Sequence, residues 1–133
     1  MFRLTLFTFL FLAILTSCSK EEGEGGTSTI TGKVKIHLYD DYGNDKDIEY
    51  YAPEEDVYII YGDDDIYSDR FRTNYDGGYR FQYLRQGKYT IFAYADDITG
   101  EILSGKVIVQ KTVKITENDQ RKTVEDIILN KID

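Results

Sequence analysis

The sequence predicts an all-β fold, a two-sheet β-sandwich of seven strands. Three observations carry that expectation. Short segments rich in Ile, Val, Tyr, Phe and Thr follow one another from residue 29 to the end of the chain, separated by polar or glycine-containing turns. No stretch holds an apolar stripe at the period of a helix. The one proline, Pro53, falls between two candidate strands, where its missing N–H interrupts no ladder.

The strands are read in order. In the first, residues 29–38, Ile30, Val34, Ile36 and Leu38 face one way and Thr31, Lys33, Lys35 and His37 the other, the pattern of a half-buried strand. Residues 57–61 make the second and 67–73 the third. Tyr79, Phe81 and Tyr83 alternate with Arg80 and Gln82 in the fourth. In the fifth, Tyr89, Ile91, Ala93 and Ala95 form one stripe, with Phe92 and Tyr94 on the opposite face. Asp76-Gly77-Gly78 leads into the fourth strand, and Arg85-Gln86-Gly87-Lys88 reverses the chain into the fifth. Gly77 and Gly87 are expected to supply positive φ there. The sixth segment, 102–115, places Val107, Val109, Val113 and Ile115 on one face. Lys111 interrupts them, so the strand is expected to bend or to split at a bulge. The seventh, 124–129, has an ambiguous register because Ile127 and Ile128 are adjacent.

The stretch from Thr73 to Ala95 resembles the carboxypeptidase regulatory-like and transthyretin-like domains. Thr73, Gly77, Tyr79 and Phe81 match the first half of their central motif, with Asn74 at an aspartate position, and Leu84, Gly87, Tyr89 and Ile91 match the second. Gly32 and Val34 match the family's opening, and Val57 and Ile59 a later strand. The resemblance implies a seven-stranded Greek-key sandwich and says little of chemistry. One departure is the long connection between the first two strands, residues 40–56, which is acidic and carries Tyr42, Tyr50 and Tyr51. Long loops in compact domains are often functional; the plainer reading is a solvated excursion with an extra edge strand at 48–51.

The front of the chain has another character. Residues 4–15 are apolar apart from Thr5 and Thr8, a length that suits a signal peptide and is short of the roughly 20 residues of a membrane span. The run ends in Leu15-Thr16-Ser17-Cys18, which resembles the lipobox of bacterial lipoproteins. The resemblance implies cleavage after Ser17 and acylation of Cys18, two or three chains giving a stable anchor where one does not. Lys20-Glu21-Glu22 is similar to the acidic export tag of Bacteroidota lipoproteins, which implies the outer membrane and its outer surface. The expected organisation is a lipoprotein signal peptide at 1–17, a lipidated cysteine with a flexible acidic tether at 18–28, and a sandwich domain at 29–133.

Loss of Arg3 with the signal peptide leaves 15 basic against 24 acidic residues, a charge of −9. Such a surface repels phosphate backbones, so nucleic acid is not an expected partner. The membrane is reached only through the anchor. Cys18 is the one cysteine, which leaves the folded part no disulfide, thiol nucleophile or cysteine metal site. His37 is the one histidine and lies on a polar strand face; no GxSxG, HExxH or Walker pattern occurs. The chain is therefore read as non-catalytic, with no cofactor. Calcium is the one metal considered, in the loop containing Asp40, Asp41, Asn44, Asp45 and Asp47, because hard oxygen ligands suit it. The 12 tyrosines suit a half-exposed face, a sugar platform or a protein interface, with Tyr42, Tyr50 and Tyr51 singled out as interface candidates. The functional expectation is a lipid-anchored binding or scaffolding module contacting an envelope protein, or alternatively a small surface glycan-binding lipoprotein.

Overall fold

A computed structural model describes residues 21–133. The expected signal peptide at 1–17 and the expected lipidation site, Cys18, lie outside the described residues. The described chain is all-β, with nine strands in two packed sheets. They are β1 (Glu24–Tyr39), β2 (Asp45–Tyr51), β3 (Asp56–Tyr61), β4 (Asp69–Arg72), β5 (Gly78–Leu84), β6 (Gly87–Asp96), β7 (Lys106–Ile115), β8 (Arg121–Thr123) and β9 (Ile127–Ile132).

One sheet is organised around the long β1. Its first half lies between antiparallel β5 and parallel β8; its second half lies between antiparallel β2 and parallel β9. Val34 marks the changeover, donating its N–H to Gly77 and accepting from Ala52, so β5 and β2 share one edge of β1. The other sheet is antiparallel throughout, in the order β4-β3-β6-β7. The core lies between the sheets. Ile30, Val34, Ile36, Phe81, Ile127 and Leu129 come from the first sheet; Val57, Ile59, Tyr89, Ile91, Ala93 and Ile115 come from the second.

Two strands add to the seven; one of them answers to the extra edge strand read at 48–51 and begins three residues earlier. β2 occupies part of the connection at 40–56, as an exposed edge strand. β8 is three residues, Arg-Lys-Thr, held by pairing with β1. The expected register problem near the C-terminus resolves with Ile127 and Leu129 buried and Ile128 exposed. Instead of bending at Lys111, β7 runs in unbroken register with β6, and Lys111 reaches Glu125 at 3.7 Å. Residues 102–105 belong to the preceding turn.

The expected tether at 18–28 is corrected at its C-terminal end. Strand β1 begins at Glu24, and Gly23 is already bonded into the sandwich. The Gly23 carbonyl accepts from the Arg85 N–H at 2.9 Å, and its N–H donates to the Tyr89 hydroxyl at 2.9 Å. Glycine composition reads as flexibility, but here it permits close approach: a Cβ on Gly26 would stand 2.1 Å from the Leu84 carbonyl oxygen. Both turn glycines have positive φ, +78° at Gly77 and +140° at Gly87. The alternation of the fourth predicted strand breaks at Tyr83, whose φ of +59° exposes its ring and turns Leu84 into the core.

Candidate functional site

In an antiparallel sheet with one face on the core, outward positions are ordinarily polar. The outer face of the β4-β3-β6-β7 sheet departs from this. On β6 the core stripe Tyr89, Ile91, Ala93 and Ala95 alternates with Phe92 and Tyr94, so the strand is apolar on both sides. Register then gathers more apolar groups from distant sequence. Tyr58 of β3 stands opposite Phe92, Ile108 of β7 opposite Tyr94, and Gln110 on the far side of Phe92.

The rings pack on one another. Tyr58 stacks on Phe92 with centroids 5.0 Å apart and an interplanar angle of 17°. Tyr94 meets Tyr58 edge-on at 5.7 Å and Phe92 edge-on at 5.7 Å, while Tyr67 leans on Tyr58 at 4.8 Å. Phe92 is thereby buried although it faces away from the core. The link between β3 and β4 brings Asp65, Ile66 and Tyr67 to the same place. Hydrogen bonds fix its end: Ser68 donates its N–H to the Ile59 carbonyl at 2.7 Å, and its hydroxyl accepts from the Tyr61 N–H at 3.1 Å.

Together these groups line a depression of about 580 Å³. Phe92 and Ile60 lie within it, Ile66 and Tyr67 come from the link, Tyr94 and Ile108 from the central and edge strands, and Asp65 and Gln110 add polar groups. Ile66 is 77% exposed, Ile108 54%, Tyr67 51% and Tyr94 42%. Cross-strand ion pairs flank the face: Arg70 and Arg72 against Asp56, and Lys106 against Asp96.

The residues singled out in the sequence lie elsewhere, on the β1–β2 hairpin. Tyr42 is exposed at its turn, and the register sets Tyr50 beside Ile36. Tyr51 is engaged internally: its hydroxyl donates to Asp126 at 2.9 Å, and the Lys33 and Lys35 ammonium groups sit 4.8 and 5.1 Å from its ring centroid. Asp40 closes the turn, accepting from the Tyr42 and Asn44 N–H groups and from the Asn44 side chain. The Asn44 amide, followed by these backbone bonds, holds the Asp40 carboxyl below its ordinary pKa. Asp45 accepts from the Asp47 N–H and from His37, while Asp41 makes no side-chain contact of this kind among the described residues. The hairpin carboxylates are thus largely spent on local backbone and His37, and no group of three or more His, Cys, Asp or Glu among the described residues is arranged to hold a metal ion.

His37 stacks on Tyr39 with centroids 5.1 Å apart, its Nε2 2.7 Å from Asp45 and its Nδ1 3.1 Å from Glu49. Hydrogen bonds to both carboxylates at once form only when each ring nitrogen carries a proton. The hydrogen bond to Asp45 is the chief reason that the His37 pKa is raised. Among the described residues, no hydroxyl nucleophile is a hydrogen-bond partner of the ring.

No protein-family model matches the chain, and no curated protein does. A crystal structure of a proposed carbohydrate-binding protein from Pseudomonas aeruginosa is similar to it, with a TM-score of 0.48 and 15% sequence identity over 81% of this chain and 90% of that one.

Proposed function

We propose that this chain is a non-catalytic binding module of the cell envelope, anchored by a lipid on Cys18, and that it meets its ligand on the outer face of the β4-β3-β6-β7 sheet. The observation that carries the reading is the depression of about 580 Å³ on that face. Its volume lies in the range of about 300–1,000 Å³ typical of small-molecule sites, and contiguous exposed apolar surface commonly marks a contact site. Packing of the core does not call for these side chains, because the core stripes of β3 and β6 point the other way.

Chemical-shift mapping of the full chain in detergent tests the placement. The probes are a set of neutral cyclic polyols, aromatic acids and tripeptides. Shifts concentrated at residues 58–60, 65–67, 92–94 and 108–110 support it. Shifts confined to the β1–β2 hairpin would move the site to Tyr42, Tyr50 and Tyr51 instead. Lipidation has its own test, metabolic acyl labelling followed by intact mass; an unmodified Cys18 in the mature protein rejects it. With Gly23 bonded to the sandwich, and Glu21 and Glu22 accepting from Arg85 and Lys88, the four residues 19–22 span at most about 14 Å. The domain would therefore ride close to the membrane.

A further inference from the structure

We infer that the outer-face depression takes a neutral saccharide, with Tyr67 and Tyr94 as stacking surfaces and Asp65 and Gln110 as the hydrogen-bonding groups that read its hydroxyls. The inference rests on the site proposed above and names its ligand class.

A sugar ring presents a patch of C–H groups on one face and hydroxyls around its edge. The depression is divided in the same way. Its apolar part is rigid, because Tyr58 braces Tyr67, Phe92 and Tyr94 with centroids 4.8 to 5.7 Å away. Its polar part is uncommitted. The side chains of Asp65, Tyr67 and Gln110 have no hydrogen-bond or ion-pair partner among the described residues, and Tyr94 joins that network only through its main-chain carbonyl, which accepts from Lys131. A carboxylate accepts from hydroxyls, an amide both donates and accepts, and phenols do both.

Other occupants fit less well. A lipid chain or an apolar peptide side chain would cover Asp65 and Gln110 without giving them partners, which is costly. An anionic sugar would meet Asp65 next to Asp63 and Asp64, in a chain of net charge −8. A quaternary ammonium ion needs ring faces turned toward one central point. Here Phe92 is covered by Tyr58 and buried, so the lining offers only two open rings, those of Tyr67 and Tyr94. A folded protein partner would need about 800 Å² on each side, and the ion pairs of Asp56 and of Asp96 bound the apolar area.

The test is calorimetric titration of the full chain in detergent with maltohexaose, cellohexaose, xylohexaose and mannohexaose. Hexagalacturonate and choline are the comparison ligands, and each titration is run with and without a chelator. At least one neutral hexaose is expected to bind, independently of chelator and better than the anionic one. Tyr94→Ala and Asp65→Asn should each weaken it by about tenfold or more. Asp65→Asn leaves the melting temperature nearly unchanged because its side chain is exposed, whereas Tyr94→Ala also removes ring packing on Tyr58 and Phe92, so its binding is read well below its own melting point. Binding by none of the four, preference for choline or hexagalacturonate, or indifference to both variants overturns the saccharide assignment. If the polyol, aromatic or tripeptide probes still shift the outer-face amides in that case, the ligand class fails while the site stands. If the shifts lie on the hairpin, the site itself has failed.

Discussion

Gly26→Ala separates a docked first strand from a free tether. In a tether the substitution is harmless, and the loss of unfolded-chain freedom makes it neutral or slightly stabilising. In the structure the new Cβ would lie 2.1 Å from the Leu84 carbonyl oxygen, 2.4 Å from its carbon and 2.6 Å from the Arg85 Cα. All three are backbone atoms, so no rotamer change relieves the contact. One response is that β1 and β5 move apart by about an ångström, the kind of overpacking that costs about 1–3 kcal/mol. The other is that the segment before Ser28 peels away. That releases the bond from Arg85 N–H to the Gly23 carbonyl and the bond from Gly23 N–H to the Tyr89 hydroxyl. Two such bonds are worth about 1–3 kcal/mol together. Both routes converge on a loss of about 2 kcal/mol. For a domain of this size the melting temperature should fall by about 8 °C. The urea midpoint should fall by about 1–2 M at a slope of 1–2 kcal/mol per molar. Equilibrium urea unfolding of parent and variant measures it. A difference under about 0.5 kcal/mol, or a gain in stability, would refute the docked strand and restore the tether.

Three further outcomes follow from particular contacts. Tyr89→Phe should cost about 1–3 kcal/mol in urea unfolding, because its hydroxyl donates to the Arg85 carbonyl at 2.7 Å and accepts from Gly23 N–H; Tyr79→Phe should be near neutral or stabilising, because the Tyr79 hydroxyl is buried without a partner. His37 has a raised pKa, so its stabilising pairing with Asp45 and Glu49 is fully present below the unfolded value near 6.5 and is lost as pH rises through the higher folded value; NMR titration of the ring should show that higher pKa in the parent and a fall toward 6.5 in Asp45→Asn. Gly77→Ala should destabilise more than Gly100→Ala, since both have positive φ but only Gly77 would bring a Cβ within 2.7 Å of a backbone oxygen, that of Val34; equal melting points would show that backbone strain alone sets the cost.

What was legible in the sequence depended on whether a strand carries its own apolar pattern. β1, β5 and β6 do, and their core residues Ile30, Val34, Ile36, Tyr79, Phe81 and Ile91 are buried as the alternation predicts. β2 is exposed along its length and β8 holds no apolar residue, so each exists through pairing with β1 rather than through periodicity. Tyr83 escaped because alternation assumes extended backbone, and its φ is +59°. The candidate site was half visible. Phe92 and Tyr94 opposite the core stripe already signalled a strand apolar on both faces. Tyr58 and Ile108 could not be joined to them from sequence, because only the register across β3, β6 and β7 makes them neighbours.

The two outer faces of the sandwich differ in kind, and that difference gives the molecule a direction. Over β1 the outward groups are mutually neutralised: Lys33 faces Asp76, Lys35 faces Glu49 and Asp126, and His37 lies between Asp45 and Glu49. Exposed pairs of this kind stabilise little, but they leave the surface solvated and without unmet partners. Over β6 the outward groups are rings and branched aliphatics that bury one another incompletely and leave Ile66 and Ile108 largely in water. Fold stability alone would be served as well by polar residues there, since the core needs only the inward stripe. The aromatic face has a physical rationale once something covers it. Burial of its exposed apolar area then becomes favourable at about 25 cal/mol per Å², and the uncommitted polar groups of Asp65 and Gln110 decide which covering fits.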